Sequence, residues 1–277
     1  MEMYPSNTQC CFNVKLPQKI SLEKEHWEVA LVEMIIPSQY KNITAKESYF
    51  DLVTSDKLFY QEVMDIKPKN LFNVTKIGDN PSRWRIRIIF PPGCYSNGSH
   101  LVDVMNDVLQ SLFSSIWQKK GQKLEIRYVE HMNRPKILFH HIKNTAITFA
   151  PTLYQKMGGH ASEDIFVVPN SLNDFPYNTN LDIGFNQVFI YSDIVEYSIV
   201  GHIQAPLLRV VPFKSFNNVK SSNQHIHHEF LNLHYLPIAK SEFDTIGINI
   251  RGDLGDTIQF VSGKSMVKLH FRKRTQP

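Results

Sequence analysis

In residues 243–271, Val267, Leu269 and Phe271 alternate with Met266, Lys268, His270 and Arg272. Before them, Ile246, Ile248 and Ile250 share a face with Asp244, while Phe243, Thr245, Gly247 and Asn249 take the other. Period two with one apolar face predicts two half-buried strands. Between them lies RGDLGD, a run of turn formers, so residues 243–271 are expected to form a β-hairpin with a long loop.

The same alternation recurs upstream. WEVALVEMIIP (27–37) is apolar on both faces, which predicts a central strand or one between layers, stopped by Pro37. Residues 48–54 and 57–63 read as a weaker hairpin around Ser55 and Asp56. In RWRIRIIF (83–90), Trp84, Ile86, Ile88 and Phe90 oppose Arg83, Arg85 and Arg87. The period then changes. Leu101, Met105, Val108, Leu112 and Ile116, with Val104, Leu109 and Phe113 beside them, form a helical stripe, for which Ser99 is the expected N-cap and Gly121 the stop. Residues 123–129 and 136–142 predict a hairpin, and 150–159 a short helix ending in two glycines. Further strands are expected at 188–195, 207–211 and 230–238. Residues 1–25 read as an arm or edge segment, and 161–186 as loop.

The sum is an all-β chain, a single jelly-roll β-sandwich, with an embedded α/β insertion of β-α-β-β-α order. The expected division is an arm at 1–25, a jelly roll at 26–82 and 161–277, and the insertion at 83–160.

Composition narrows the class. With 42% hydrophobic and 20% charged residues over 277 positions, the chain is globular and large enough for a real core. A net charge of +4 is too weak to argue for nucleic-acid binding. Three cysteines, Cys10, Cys11 and Cys94, make no disulfide framework and point to a reducing compartment. Residues 1–15 lack a basic segment followed by an apolar run, so no signal peptide is expected, and no stretch predicts a membrane span. Asn42, Asn73 and Asn97 begin N-x-S/T sequons read as chance occurrences.

Several blocks, in order, resemble the penton-type minor capsid proteins of Polinton/Maverick elements and their adintovirus relatives. They are YPSNT (4–8), KLPQKISL (15–22) and WEVALVEMIIP, then PPGCYSNGSHLVDVMN (91–106) and PTLYQKMGG (151–159). VFIYSDIVEYSIVGHIQAPLLRVVPF (188–213), YLPIAKSEFDTIGINI (235–250) and FVSGKSMVKLHFRKR (260–274) complete the series. The chain departs where the family continues the middle helix end to Gly-Phe and this sequence has Gly158, Gly159 and His160. The resemblance implies one jelly roll per subunit, five subunits at each icosahedral vertex, and a surrounding major capsid protein as second partner. It implies a virion capsid location after synthesis in the host cytosol, with assembly in the nucleus as one route. It also implies that the last strand returns to the sheet containing residues 27–36.

Two side-chain groups compete with this structural reading. His225, His227 and Glu229 could hold a metal in the manner of a cupin, itself a jelly roll, but Glu229 follows at once, the Gly-rich lead-in is missing, and a solvated His-rich loop is the preferred reading. Arg251, Gly252 and Asp253 spell the integrin-binding triplet found in adenoviral penton bases, but they also suit an ordinary turn. A receptor- or glycan-binding module is therefore the other alternative. The Arg83, Arg85 and Arg87 stripe reads as a solvated or interface face, and Arg272 to Arg274 as either an inward-facing basic tail or a solubilising one. No G-x-S-x-G, Walker, H-E-x-x-H or paired-cysteine pattern occurs, so no enzyme activity and no cofactor are expected.

Overall fold

The computed structural model describes residues 6–22, 26–65, 72–79, 82–160, 167–168, 175–212 and 225–274. Parts of the expected arm, of the 161–186 loop and of the YPSNT block lie outside these residues. The chain divides into two compact units, Met1–Lys41 with Gly184–Pro277, and Asn42–Ile183.

In chain order the strands are β1 (Cys11–Ser21), β2 (Trp27–Pro37), β3 (Tyr49–Thr54), β4 (Phe72–Asp79), β5 (Ser82–Ile89), β6 (Lys123–Val129), β7 (Arg134–His140) and β8 (Thr145–Phe149). They continue with β9 (Gln187–Ser192), β10 (Ser198–Val200), β11 (Ile203–Ala205), β12 (Leu207–Pro212), β13 (His225–Glu229), β14 (Leu236–Pro237), β15 (Glu242–Arg251) and β16 (Met266–Lys273). The helices are α1 (Lys57–Asp65), α2 (Gly98–Lys120) and α3 (Pro151–Lys156).

The first unit is a sandwich of two antiparallel sheets. One has the order β1-β15-β9-β12. In the other, β16 runs along β2 from Trp27 to Ile35, and β13 and β14 share the opposite edge. These pairings are nested. β9 pairs with β12, β2 with β13 around them, and β1 with β15 around those, with successive pairs alternating between sheets. A ribbon of nested antiparallel pairs wrapped into two sheets is the jelly roll. The fold assignment rests on this strand order.

The apolar alternation explains the packing. Ile246, Ile248 and Ile250 of β15 and Val188 and Ile190 of β9 meet Val29, Leu31, Met34 and Ile36 of β2 in one buried cluster. A register break between Lys268 and Leu269 leaves Val32 of β2 without a partner on β16, so Val29 and Leu31 before the bulge and Met34 and Ile36 after it all face inward. That bulge is one reason the strand looks apolar on both faces. Its central place in its sheet is the other.

The second unit has its own core. The stripe of α2 packs Leu101, Met105, Leu109, Leu112 and Ile116 against Phe50 and Leu52 of β3, Ile86 and Ile88 of β5, and Ile147 of β8. Its sheet has the order β4-β5-β3-β8, with β6 and β7 paired as the expected hairpin.

Four expectations change. Residues 243–271 are not a hairpin, because β15 bonds to β1 and β9 while β16 joins β2 in the other sheet. Period two showed the strands but carries no information about their partners. Residues 57–65 are helical because Asp56 Oδ1 accepts the backbone N–H of Leu58 at 2.9 Å and of Phe59 at 3.0 Å, which caps a helix start. The cap of α2 is Asn97, which accepts the His100 N–H at 2.9 Å, and Ser99 lies inside the helix. Gly121 ends it at φ 62 as expected. Finally, the inserted unit spans Asn42–Ile183 and is larger than 83–160, because β3 is bonded on both edges, to β5 and to β8. Residues 11–21 of the expected arm are the edge strand β1.

Candidate assembly surfaces

The Arg-Gly-Asp triplet begins at Arg251, the last residue of β15, and continues into the link to β16. That link binds the two points where the sandwich gives way to the inserted unit: Lys41 N–H donates to Gln259 O at 2.8 Å and Asp253 N–H to Gly184 O at 3.2 Å. The Asp253 carboxylate accepts three bonds, from Asn186 N–H at 3.0 Å, Asn186 Nδ2 at 3.0 Å and Gln187 N–H at 2.7 Å. Gly252 is buried, and a Cβ there would lie 2.9 Å from the Gly184 carbonyl. Arg251 is exposed and donates to Gly255 O at 3.0 Å. The triplet is thus a tied turn whose acidic member is occupied by its own chain.

The histidines lie on β13, not in a loop. His227 Nε2 sits 2.7 Å from Glu33 Oε1, and Lys268 Nζ reaches the other Glu33 oxygen at 3.3 Å. The Lys268 bond, with His227 assisting, holds the Glu33 carboxyl below the usual carboxylate range. His225 is beside Gly263 and Lys264 instead. His228 faces the Phe230 ring at 4.5 Å, where burial first, then Arg209 and His227, lowers its pKa. Among the described residues, no group of three or more His, Cys, Asp or Glu side chains converges as a metal site would require.

The arginine stripe of β5 is half spoken for. Asp51 on β3 receives Arg87 in a two-bond fork at 2.9 and 3.0 Å, and Arg85 approaches the same carboxylate at 3.5 Å. The fork raises the Arg87 pKa, and its guanidinium also lies 3.9 Å above the Tyr49 ring. Arg272 at the chain's basic end pairs with Glu28 and covers the Tyr235 ring at 3.4 Å. These are structural contacts of the strands themselves. No described helix is long and apolar enough to cross a membrane.

A surface the patterning did not mark is the hairpin β10–β11, closed by a two-residue turn with Gly201 at φ 62. It leaves Tyr197, Ile199 and Ile203 exposed at 69%, 79% and 52%. Beside it, Tyr191, Asp193, Ala205 and Lys240 help line a groove of about 730 Å³. Three large exposed apolar side chains on one hairpin are unusual for a solvated loop. The available signal was the Gly201-His202 pair between two short alternating runs.

The chain is similar to the mavirus penton protein, with a TM-score of 0.43 and 12% identity over 95% of this chain and 91% of that one. It is also similar to a chain in the Sputnik virophage structure, with a TM-score of 0.41 and 10% identity over 94% and 91%. No family model and no curated protein matches the chain. The nested strand order, and not these two likenesses, carries the fold.

Proposed function

We propose that this chain is a structural capsid protein of a virus or virus-like transposon, a penton-type minor subunit that closes five copies around an icosahedral vertex. The observation that carries the reading is the jelly roll with a separately cored unit inserted between β2 and β9. The ordered residue blocks from 4 to 274 that resemble Polinton and adintovirus pentons support it. Its mechanism is geometric: one lateral surface of the sandwich meets a different surface of the next copy, and this heterologous contact closes as a ring. The exposed Tyr197, Ile199 and Ile203 of the β10–β11 hairpin are the apolar patch that such a contact would cover. The major capsid protein would surround the ring, the location would be the virion, and the chain would perform no catalysis.

The test is the molar mass of the purified protein by light scattering after size exclusion, at low and high salt. A mass near five times 32.1 kDa supports the reading. Ile199→Asp should then release monomers with an unchanged thermal transition. A stable dimer or trimer would sink it.

A further inference from the structure

The nesting leaves one position open. β9:β12, β2:β13 and β1:β15 are complete, but β16 has only β2 among the described residues. Its outer edge is the place where the next nested strand would pair. An edge of eight residues presents unpaired N–H and C=O groups to any extended chain.

The side chains around this edge also lack a neighbour. Val267, Leu269 and Phe271 point into the sandwich yet are only half-buried, as are Phe12, Leu16 and Ile20 of β1, while Val29, Leu31, Met34 and Ile36 of β2 are fully buried. Next to β1 and residues 263–265 opens a groove of about 750 Å³. The Ser265 hydroxyl, which lines it, is buried with no hydrogen-bond partner among the described residues. Cations gather at both ends. Lys15 and Lys264 border the groove, Arg274 follows the strand, and none of the three forms an ion pair among the described residues. The outward face of β16 carries Lys268, His270 and Arg272, but Lys268 and Arg272 already pair with Glu33 and Glu28 of β2 and His270 meets the Tyr235 hydroxyl, so the cations without an acid among the described residues stand at the two ends of the strand.

We propose that this edge receives a β-strand from a partner protein: an extended segment with apolar residues at alternate positions and acidic residues between them. The apolar residues complete the half-buried row, and the acidic ones at the segment's ends stand near Lys264 and Arg274. Main-chain bonds to the free edge provide the binding, and the alternation fixes the register. The inference does not depend on the capsid reading.

The test uses the full chain and a capped octapeptide alternating valine and glutamate, read by hydrogen exchange. The peptide should slow exchange of the β16 amides that point away from β2 by about tenfold or more and leave β12, an edge strand of the other sheet, unchanged. Lys264→Glu with Arg274→Glu should weaken that peptide by about tenfold, with an unaltered thermal transition, and should favour a valine–lysine peptide instead. The proposal is overturned by no protection up to the peptide's solubility limit. Equal protection of the unsubstituted chain by the lysine peptide also overturns it, as does protection by a peptide whose pairing amides are methylated. Protection, without peptide, of those β16 amides that point away from β2 would overturn it too, since a second copy or the chain itself would already hold the edge.

Discussion

Lys156 is buried on α3, with its side chain 3% exposed, and its ammonium lies 2.8 Å from Glu47 Oε1 and 2.7 Å from the Asn42 carbonyl. The other Glu47 oxygen accepts Thr44 N–H at 2.8 Å and Thr44 Oγ1 at 2.9 Å. This cluster ties the first residues of the inserted unit to α3. Lys156→Met keeps the stem and removes the charge. The Glu47 carboxylate is then 9% exposed without a cation, and the Asn42 carbonyl loses a donor. Breaking a buried pair from one side costs about 3–5 kcal/mol. At about 1.4 kcal/mol per factor of ten, that is a rise of roughly two to three and a half orders of magnitude in the unfolded fraction of this unit. Glu47→Gln puts an amide donor where a carboxylate oxygen accepts and leaves the buried Lys156 ammonium without its counter-charge, so it should cost a comparable amount. The double variant should be about 2 kcal/mol or more better than the sum of the two, because each single change strands the partner that the other removes. The assay is urea unfolding of the full chain with hydrogen exchange of α2, which isolates this unit from the sandwich. Because the pair is dry, 1 M salt should change these differences little. A loss below about 1 kcal/mol for Lys156→Met, or strict additivity in the double variant, would refute the reasoning.

Deleting residues 261–277 removes β16 and uncovers one edge of β2; hydrogen exchange should show the protection of β9 collapsing while α2 stays protected, and survival of both would contradict the sandwich closure. Asn97→Ala should cost about 1 kcal/mol in thermal or urea unfolding and Ser99→Ala less than about 0.5, and the reverse order would displace the cap. Asp253→Ala leaves three donors without their acceptor and should cost about 1–3 kcal/mol of sandwich stability by denaturation, whereas Arg251→Ala should stay within about 0.5. Burial pushes the Cys10 thiol up to about 12 from its ordinary value of 9.0. A thiol reagent at pH 8 should therefore modify exposed Cys11 and Cys94 quickly and Cys10 only on unfolding. The same raised value is stability present below about pH 9 and lost as pH climbs towards 12, seen as a fall in the sandwich's melting temperature that Cys10→Ser should lessen.

Local periodicity determined much of this protein by itself. The period-two runs at β2, β5, β15 and β16 and the helical stripe of α2 are where the patterns put them, because burying one face of a strand or helix imposes its repeat on the residues. Gly121 ends α2 because a left-handed residue is needed there, and that need is local as well. The pairings were decided elsewhere. That β15 and β16 part into different sheets, and that β3 belongs with β5 and β8 and not with β2, follows from long-range register, to which alternation is blind. Residues 57–65 show the opposite failure, where one Asp56 cap outweighed a strand-like composition. Among the candidate residues, Asp253 and His227 looked free in the sequence and are held by Asn186, Gln187 and Glu33, partners distant in the chain. That β16 has a strand on one side alone among the described residues was invisible for the same reason: a strand's own residues say that it can pair, and only the tertiary structure shows with what.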